Sequence, residues 1–493
     1  MSAVWVHTVF TRAPPGRGSA VHPFAGTQAY RRRVFALTRR RLVVAAALAL
    51  ALVAGIALWT GTGSAVLPAD DGTATPMPDR VILSPAEDSA TSQTFTWRTN
   101  DATTDGEVQI APADAPDDVT VVEADRSISE RLPRSRLVAR HHSATVTDLE
   151  PSTDYTYRVG TGDDVSEWTT FRTAPAADDP TPWTFLYFGD AQWGLDAGWS
   201  DVVDQAFAQV PDATLAITAG DQVNDGNDDQ QWAQWSAAIA PLASTRSILT
   251  VPGNHELYGD PDMIRYRSHV EYPDNGPEGQ DDLAYRVDVG DVRFIALNAN
   301  ITDGGLDDPD DNGLGALQAE WLEEQLADNP RTWTVVTLHQ PMFSAAKLRD
   351  NVAQRTAFLP VLEKYDVDLV LQGHDHAYAR GHLAENDTAE GADGYAGPTY
   401  VVANAGDKYY DLDPPGRNNW TINGAVRDAA ADKISTYQSI RVEADRLVYT
   451  SYVGIVGDPA GGTGPSPTGL QAGDVLDTFT VTKDAGGNPV VTP

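Results

Sequence analysis

Two rhythms of apolar and polar positions divide this chain. Between residues 79 and 175 the apolar positions come in short runs, at 80–83, 94–98, 107–110, 144–146, 155–159 and 168–171, several of them alternating with polar residues. A period of two in runs this short predicts strands, and their spacing predicts an all-β unit. From Thr181 onward the runs lengthen and alternate with helix-like stretches. Strands are predicted at 183–188, 214–218, 247–251, 292–297, 332–338, 367–371 and 399–402, and helices at 199–208, 230–240, 314–326 and 352–365. In the third of these helices Leu317, Trp321, Leu322 and Leu326 share one face. Strand–helix alternation of this kind predicts a largely parallel α/β core covered by helices on both sides. Three β-like runs, 439–442, 447–452 and 475–482, close the chain, with a Gly/Pro-rich loop at 457–469.

Upstream of both regions the pattern is of another kind. Residues 1–41 hold eight Arg and no acidic residue, with Arg31-Arg32-Arg33 and Thr38-Arg39-Arg40-Arg41 just before an uncharged apolar run at 42–60. That run is long enough to span a bilayer, and the one-sided charge places the N-terminus in the cytoplasm and the rest outside. Thr38-Arg39-Arg40-Arg41-Leu42-Val43-Val44 is similar to a twin-arginine export signal. Both an extracellular and a membrane-tethered, cell-surface form follow, the latter touching the membrane only through this segment. Residues 61–78 read as a polar linker.

Composition narrows the chemistry. The remaining 27 basic residues face all 70 acidic ones, a net charge of −43 beyond residue 41. Such a surface repels nucleic acid and is not expected to bind it. With no Cys in 493 residues, any metal must be held by Asp, Asn, Gln and His.

Those residue types gather where the predicted strands stop. The first strand runs into Gly189-Asp190-Ala191-Gln192, the second into Gly220-Asp221, and the third into Gly253-Asn254-His255-Glu256. Two later ones run into His339-Gln340-Pro341 and Gly373-His374-Asp375-His376. Each end offers an oxygen or nitrogen ligand, mostly after a Gly that leaves room for an ion. Open α/β sheets bind ligands at this carboxyl edge.

The set resembles the metallophosphoesterase (calcineurin-like) superfamily, whose pattern runs Gly-Asp, Gly-Asp, Gly-Asn-His-Asp/Glu, His and Gly-His-x-His. The stretch Leu149-Glu150-Pro151-Ser152-Thr153-Asp154-Tyr155-Thr156-Tyr157-Arg158-Val159, with Tyr155, Tyr157 and Val159 facing one way, is similar to the tyrosine-corner strand of a fibronectin type III sandwich, with Trp97 in its core. Together they resemble the purple-acid-phosphatase-like branch. The resemblance implies a fibronectin III-like domain at 79–175, spacing or lining the cleft, and a catalytic domain at 181–483 with a four-layered α/β/β/α fold. It further implies an exported hydrolase of small-molecule phosphate esters, monoesters favoured, with two metal ions drawn from Fe, Mn or Zn. Asp221 would bridge them, Asp190 and His376 would complete the first, and Asn254, His339 and His374 the second. His255 would hold the phosphate and protonate the leaving oxygen, and a bridging hydroxide would be the nucleophile.

Two positions depart from the pattern. Purple acid phosphatases carry a metal-bound Tyr three residues after the second-motif Asp, where this chain has Asn224. Other members have Asp-x-His in the first motif, where this chain has Gln192. Gln192 through its amide oxygen, and Asn224 as second choice, are the candidates to complete the first metal. Trp193, Trp199 and Tyr258 are candidates for a substrate pocket as well as for the core. Arg380 is a candidate support for His376, and residues 257–290 and 301–313 are the loops expected to choose the substrate. A diesterase, or a cell-surface binding protein with a decayed catalytic domain, stays open as an alternative.

Overall fold

The computed structural model describes residues 73–132, 136, 138–301, 313–388, 394–457 and 469–493. The Arg-rich and apolar N-terminal segments, the linker up to residue 72, and most of the loops at 301–313 and 457–469 lie outside these. The chain divides into two compact units, residues 1–68 and 69–493, and every described residue belongs to the second. Among the described residues no helix is long and apolar enough to cross a membrane.

The first part of this unit is a β-sandwich. Strands Asp79–Pro85, Gln93–Asn100, Val138–Val146 and Arg126–Arg131 pair antiparallel in that order. Glu107–Pro112 and Asp154–Thr161, with the shorter Thr120–Glu123 and Thr169–Arg172, form the facing sheet. Phe95, Trp97, Val108, Tyr157 and Phe171 fill the space between them. Tyr155, Tyr157 and Val159 are all buried, as alternation requires of residues on one face. The Tyr155 hydroxyl accepts a hydrogen bond from the Glu150 N–H at 3.0 Å, which closes the turn leading into its strand.

The second part has two sheets of mixed direction. In the first, Leu215–Ala219 lies parallel between Trp183–Phe188 and Ser247–Val251, and the C-terminal strands Ile434–Val442, Arg446–Val456 and Val475–Lys483 extend it antiparallel. In the second, Val292–Ala296, Trp333–Thr337, Leu369–Gln372 and Thr399–Val402 run parallel, flanked by the antiparallel Tyr285–Val289 and Tyr378–Leu383. Phe185, Ile217 and Leu249 of one sheet share a core with Phe294, Val335 and Leu371 of the other. Helices Gly198–Gln209 and Asp229–Ala243 add Trp199, Val202, Trp235 and Ile239 to that core from outside the first sheet. Helices Leu314–Ala327 and Val352–Lys364 pack Trp321, Leu322, Phe358 and Leu362 against the second. The order is therefore α/β/β/α. Strands covered on both faces need no polar alternation, and these runs are mostly apolar and buried at every position.

The sandwich and the layered core are one continuous structure. Asp79–Pro85 pairs parallel with Ser247–Val251 at Leu83 and Ser247, so one 12-stranded sheet runs through both. Buried polar groups reinforce the seam. Arg265 forms an ion pair with Glu130 at 2.5 Å and donates to the Arg131 carbonyl and to Asn227 Oδ1. Glu130 also lies 3.0 Å from His141 Nε2. Arg80 reaches Asp229 at 3.1 Å, and the Tyr157 hydroxyl donates to the Ser244 carbonyl at 2.7 Å. Breaking a buried pair strands an unneutralised charge, at a cost of about 3–5 kcal/mol. Glu130→Ala is expected to lower unfolding stability in urea by about that amount, whereas an exposed change such as Glu324→Ala stays within about 0.5 kcal/mol.

Candidate metal centre

Four of the residues at the strand ends adopt a left-handed backbone: Asp190 at φ 46°, Asp221 at 52°, His374 at 76° and His376 at 47°. Each such turn costs a non-glycine residue about 1–2 kcal/mol and persists only where neighbours over-determine it. Here the neighbours are each other's polar groups. Asp190 Oδ2 accepts from the His374 N–H at 2.6 Å, and Asp221 Oδ1 from the His255 N–H at 2.9 Å. The buried Glu256 accepts from the N–H groups of Gly253, Asp221 and Val223, at 2.6, 3.0 and 3.3 Å, and so ties the second strand end to the third. Burial and the nearby Asp221 charge push the Glu256 carboxyl up to about 8. Asp375 does the same on the other sheet, accepting from the Ala345 N–H at 2.6 Å while Arg349 donates to the His374 carbonyl at 2.8 Å.

The turns bring the side chains into two clusters. Asp221, His339 and His374 form one, and Asp190, Asp221 and His376 the other; within each, one ligand atom per residue lies within 4.8 Å of the rest. Asp221 belongs to both. His339 Nε2 stands 3.2 Å from Asp221 Oδ2. Its Nδ1 must carry a proton, because its partner at 2.7 Å is the Ala219 carbonyl, which only accepts. Burial alone would lower the imidazole pKa but Asp221 raises it to about 9, so Nε2 would ligate by exchanging its proton for a metal ion. His255 follows the same logic. Its Nδ1 donates to the Asn224 carbonyl at 2.7 Å, leaving Nε2 directed at the cluster, 3.9 Å from Asp221 Oδ2.

The donor set fits a pair of cations. Asp190 Oδ1, Asn254 Oδ1 and His376 Nδ1 are buried without a hydrogen-bond partner. Burial, with Asp221 adding to it against the pull of His339, drives the Asp190 carboxyl well above its usual range. Asp221 itself would be raised by burial, but His339 and His255 outweigh that and hold it below the usual carboxylate range. Burial, with Arg349 and Lys408 respectively adding to it, holds His374 and His376 neutral, with lone pairs available. Crowded carboxylates, neutral imidazoles and orphaned oxygens make a site that a cation relieves.

The remaining candidates fall out individually. Gln192 reaches the cluster through its nitrogen, which donates to Asp221 Oδ2 at 2.5 Å, while its oxygen accepts from Lys408 Nζ at 3.4 Å. Inverting that amide would set donor against donor at Lys408. Trp199 is fully buried edge-on to Phe188, a core residue. Trp193 and Tyr258 are exposed, and the Tyr258 ring lies tilted against the His255 ring at a 4.5 Å centroid distance. Arg380 does not support His376: it pairs with Asp477 at 2.7 Å and Asp428 at 3.2 Å. A cavity of about 570 Å³, lined by Asn254, Tyr258, Met263, Gln280 and Asn300 among others, opens beside the cluster within the 257–290 segment. Sequence reasoning missed Glu256, although it closes the Gly-Asn-His-Glu string, and Lys408, which follows a strand whose end it left unread.

Comparison with known proteins matches both parts of the chain to described families. Residues 78–173 match the family described as purple acid phosphatase, N-terminal domain, and residues 184–378 match calcineurin-like phosphoesterase. Purple acid phosphatase 23 of Arabidopsis thaliana is 27% identical over 307 residues, covering 55% of this chain and 63% of that protein. An uncharacterised protein of Mycobacterium tuberculosis is 30% identical over 329 residues, covering 59% of this chain and 60% of its own length. The chain thus spans roughly three fifths of these curated relatives. Among solved structures, a purple acid phosphatase from yellow lupin (Lupinus luteus) seeds superposes with a TM-score of 0.63 over 83% of this chain and 75% of that one, at 19% identity. PhoD superposes at 0.58 over 86% and 93%, at 14% identity, a likeness of fold.

At Gly253 the third strand end presses directly against Asp221. A Cβ there would lie 2.1 Å from Asp221 Oδ1 and 2.4 Å from the Asp221 nitrogen. Gly253→Ala is expected to displace the shared carboxylate, lowering metal content by elemental analysis and stability by about 1–3 kcal/mol.

Proposed function

We propose, because this chain belongs to the calcineurin-like phosphoesterase superfamily in its purple-acid-phosphatase-like branch, that it is an exported two-metal hydrolase of phosphate esters, acting on monoesters above diesters. The observation that carries this reading is the sharing of Asp221 by two buried ligand clusters with the His255 imidazole beside them. Asp190, Asp221 and His376 would hold one ion, and Asp221, Asn254, His339 and His374 the other. Two such ions, when bound, would supply Lewis acidity toward phosphoryl oxygens and would lower the pKa of a water so that it can act as the nucleophile.

The chain's own residues do the rest. Asp221 is fixed by the His255 N–H and Gln192, so the bridge cannot swing away from either cluster. His255, its Nδ1 anchored on Asn224, presents Nε2 to a phosphoryl oxygen and carries the proton that the leaving alkoxide takes. The cavity beside Asn254 receives the organic part of the ester. The arginines before residue 42 and the apolar run after them direct export.

Metal analysis together with hydrolysis of paired aryl phosphate mono- and diesters tests the reading. The wild type is expected to carry about two metals per chain, and Asp221→Ala to lose both metal and activity. His255→Ala is expected to retain metal and lose about 10²- to 10⁴-fold in kcat. A wild type that binds no metal and stays inert after Fe, Mn and Zn are supplied would sink the enzymatic reading in favour of a binding protein. With Asn224 where a phenolate would stand, the iron-loaded protein is expected to show no purple absorption band; a visible charge-transfer band would mean that a tyrosine from elsewhere reaches the metal.

A further inference from the structure

Lysine is scarce in this chain: five among 493 residues, against 30 arginines. Lys364, Lys433 and Lys483 each sit against a carboxylate, of Glu323, Asp411 and Asp368 respectively, and Lys347 is exposed. Lys408 is different. It is half-buried, and among the described residues no carboxylate oxygen lies within ion-pair distance of its ammonium, although the chain carries a net charge of −35. Its Nζ points instead at the metal centre, 3.4 Å from Gln192 Oε1, between the rings of Trp193 and Tyr410 at 5.8 and 5.4 Å.

The loop that presents it is rigidly laced to the first metal-site loop. The Ala405 and Gly406 N–H groups donate to the Gly189 and Asp190 carbonyls at 2.6 and 2.9 Å. Asn404 Nδ2 bridges the Gly406 and Lys408 carbonyls at 3.0 and 3.1 Å. A Cβ on Gly406 would lie 2.6 Å from the Asp190 carbonyl oxygen, so the approach is closer than any other residue permits. Tyr410 in turn packs edge-on against His376 and lies beneath the Arg349 guanidinium. Lys408 is thus a preorganised, unneutralised cation whose position is set by the same backbone that sets Asp190. The segment lies beyond the residues matched to the phosphoesterase family, which end at 378.

A phosphomonoester carries three non-bridging oxygens and two negative charges; a diester has two such oxygens and one charge. We infer, resting on the phosphoesterase reading above, that Lys408 selects the charge of the phosphoryl group, its ammonium binding the third non-bridging oxygen of a monoester dianion. In a diester that position holds an ester oxygen bearing an organic group, which the ammonium cannot serve as well.

The test compares metal-loaded wild type, Lys408→Met and Lys408→Arg in three measurements: metal content, kcat/KM on aryl phosphate mono- and diesters, and calorimetric titration with inorganic phosphate. A hydrogen bond to a charged group corresponds to about 10- to 100-fold. Lys408→Met is expected to lose that factor on the monoester and on phosphate affinity, to lose less than about 5-fold on the diester, and to keep its metal. Lys408→Arg is expected to restore most of the monoester rate. Equal losses on both esters, unchanged phosphate affinity, or loss of metal would overturn the assignment, the last by making Lys408 a prop for Gln192. A metal-loaded wild type that hydrolyses neither ester would overturn the phosphoesterase reading itself, and ester selection with it.

Discussion

The Asp221 carboxylate is the point on which the structure turns. It is buried, belongs to both ligand clusters, and sits on a residue whose backbone is left-handed. No single contact makes that tolerable. Its nitrogen is held by Glu256, one oxygen by the His255 N–H, and the other faces Gln192 and His339. Those groups come from three different strand ends across two sheets. The carboxylate can therefore occupy its place only when both sheets are assembled, and the α/β/β/α layering is what assembles them. Glycines at the strand ends follow from the same demand, since Gly253 leaves no room for a Cβ beside Asp221.

Charge is distributed with equal economy. The acidic surface would repel anionic substrates, so the few cations near the centre carry disproportionate influence. Among the described residues five arginines are buried, and they sit in pairs such as Arg265 with Glu130, Arg293 with Asp288 and Arg380 with Asp477. Arginine suits that use, because its planar fork satisfies a carboxylate and a carbonyl at once. A lysine without a carboxylate, aimed at the metal centre, is the exception that this pattern makes visible.

Much of this was legible in the sequence, and the reason is physical. Strands buried on both faces leave mostly apolar runs, and the ligands sit at fixed offsets beyond them, so 183–188 and 247–251 were read at the bounds the structure gives. What escaped reading depends on partners far apart in the chain. Strand Tyr378–Leu383 is as buried as its neighbours but carries Arg380 and His382, whose charges are met by Asp428, Asp477 and Asp387. Its polarity hid it, and it made Arg380 look like a companion of His376. Glu256 was in view, but its role as triple acceptor exists only once the turns at Asp221 and Gly253 are adjacent. The direction of the Gln192 amide depends on Lys408, 216 residues downstream.

The β-sandwich is bound into the same logic. A module joined by a linker alone would leave the catalytic loops indifferent to it. Here Arg265 connects Glu130 and the Arg131 carbonyl of the sandwich to Asn227. Asn227 is next to Gly226, whose N–H donates to the His255 carbonyl, and three residues beyond Asn224, whose carbonyl fixes the His255 ring. The path from the sandwich to the imidazole thus runs through one buried arginine and one short loop. Hydrogen bonds of fixed geometry transmit position along such a path, so the sandwich acts as part of the frame that aims His255, and the continuous sheet at Leu83 and Ser247 keeps that frame from sliding.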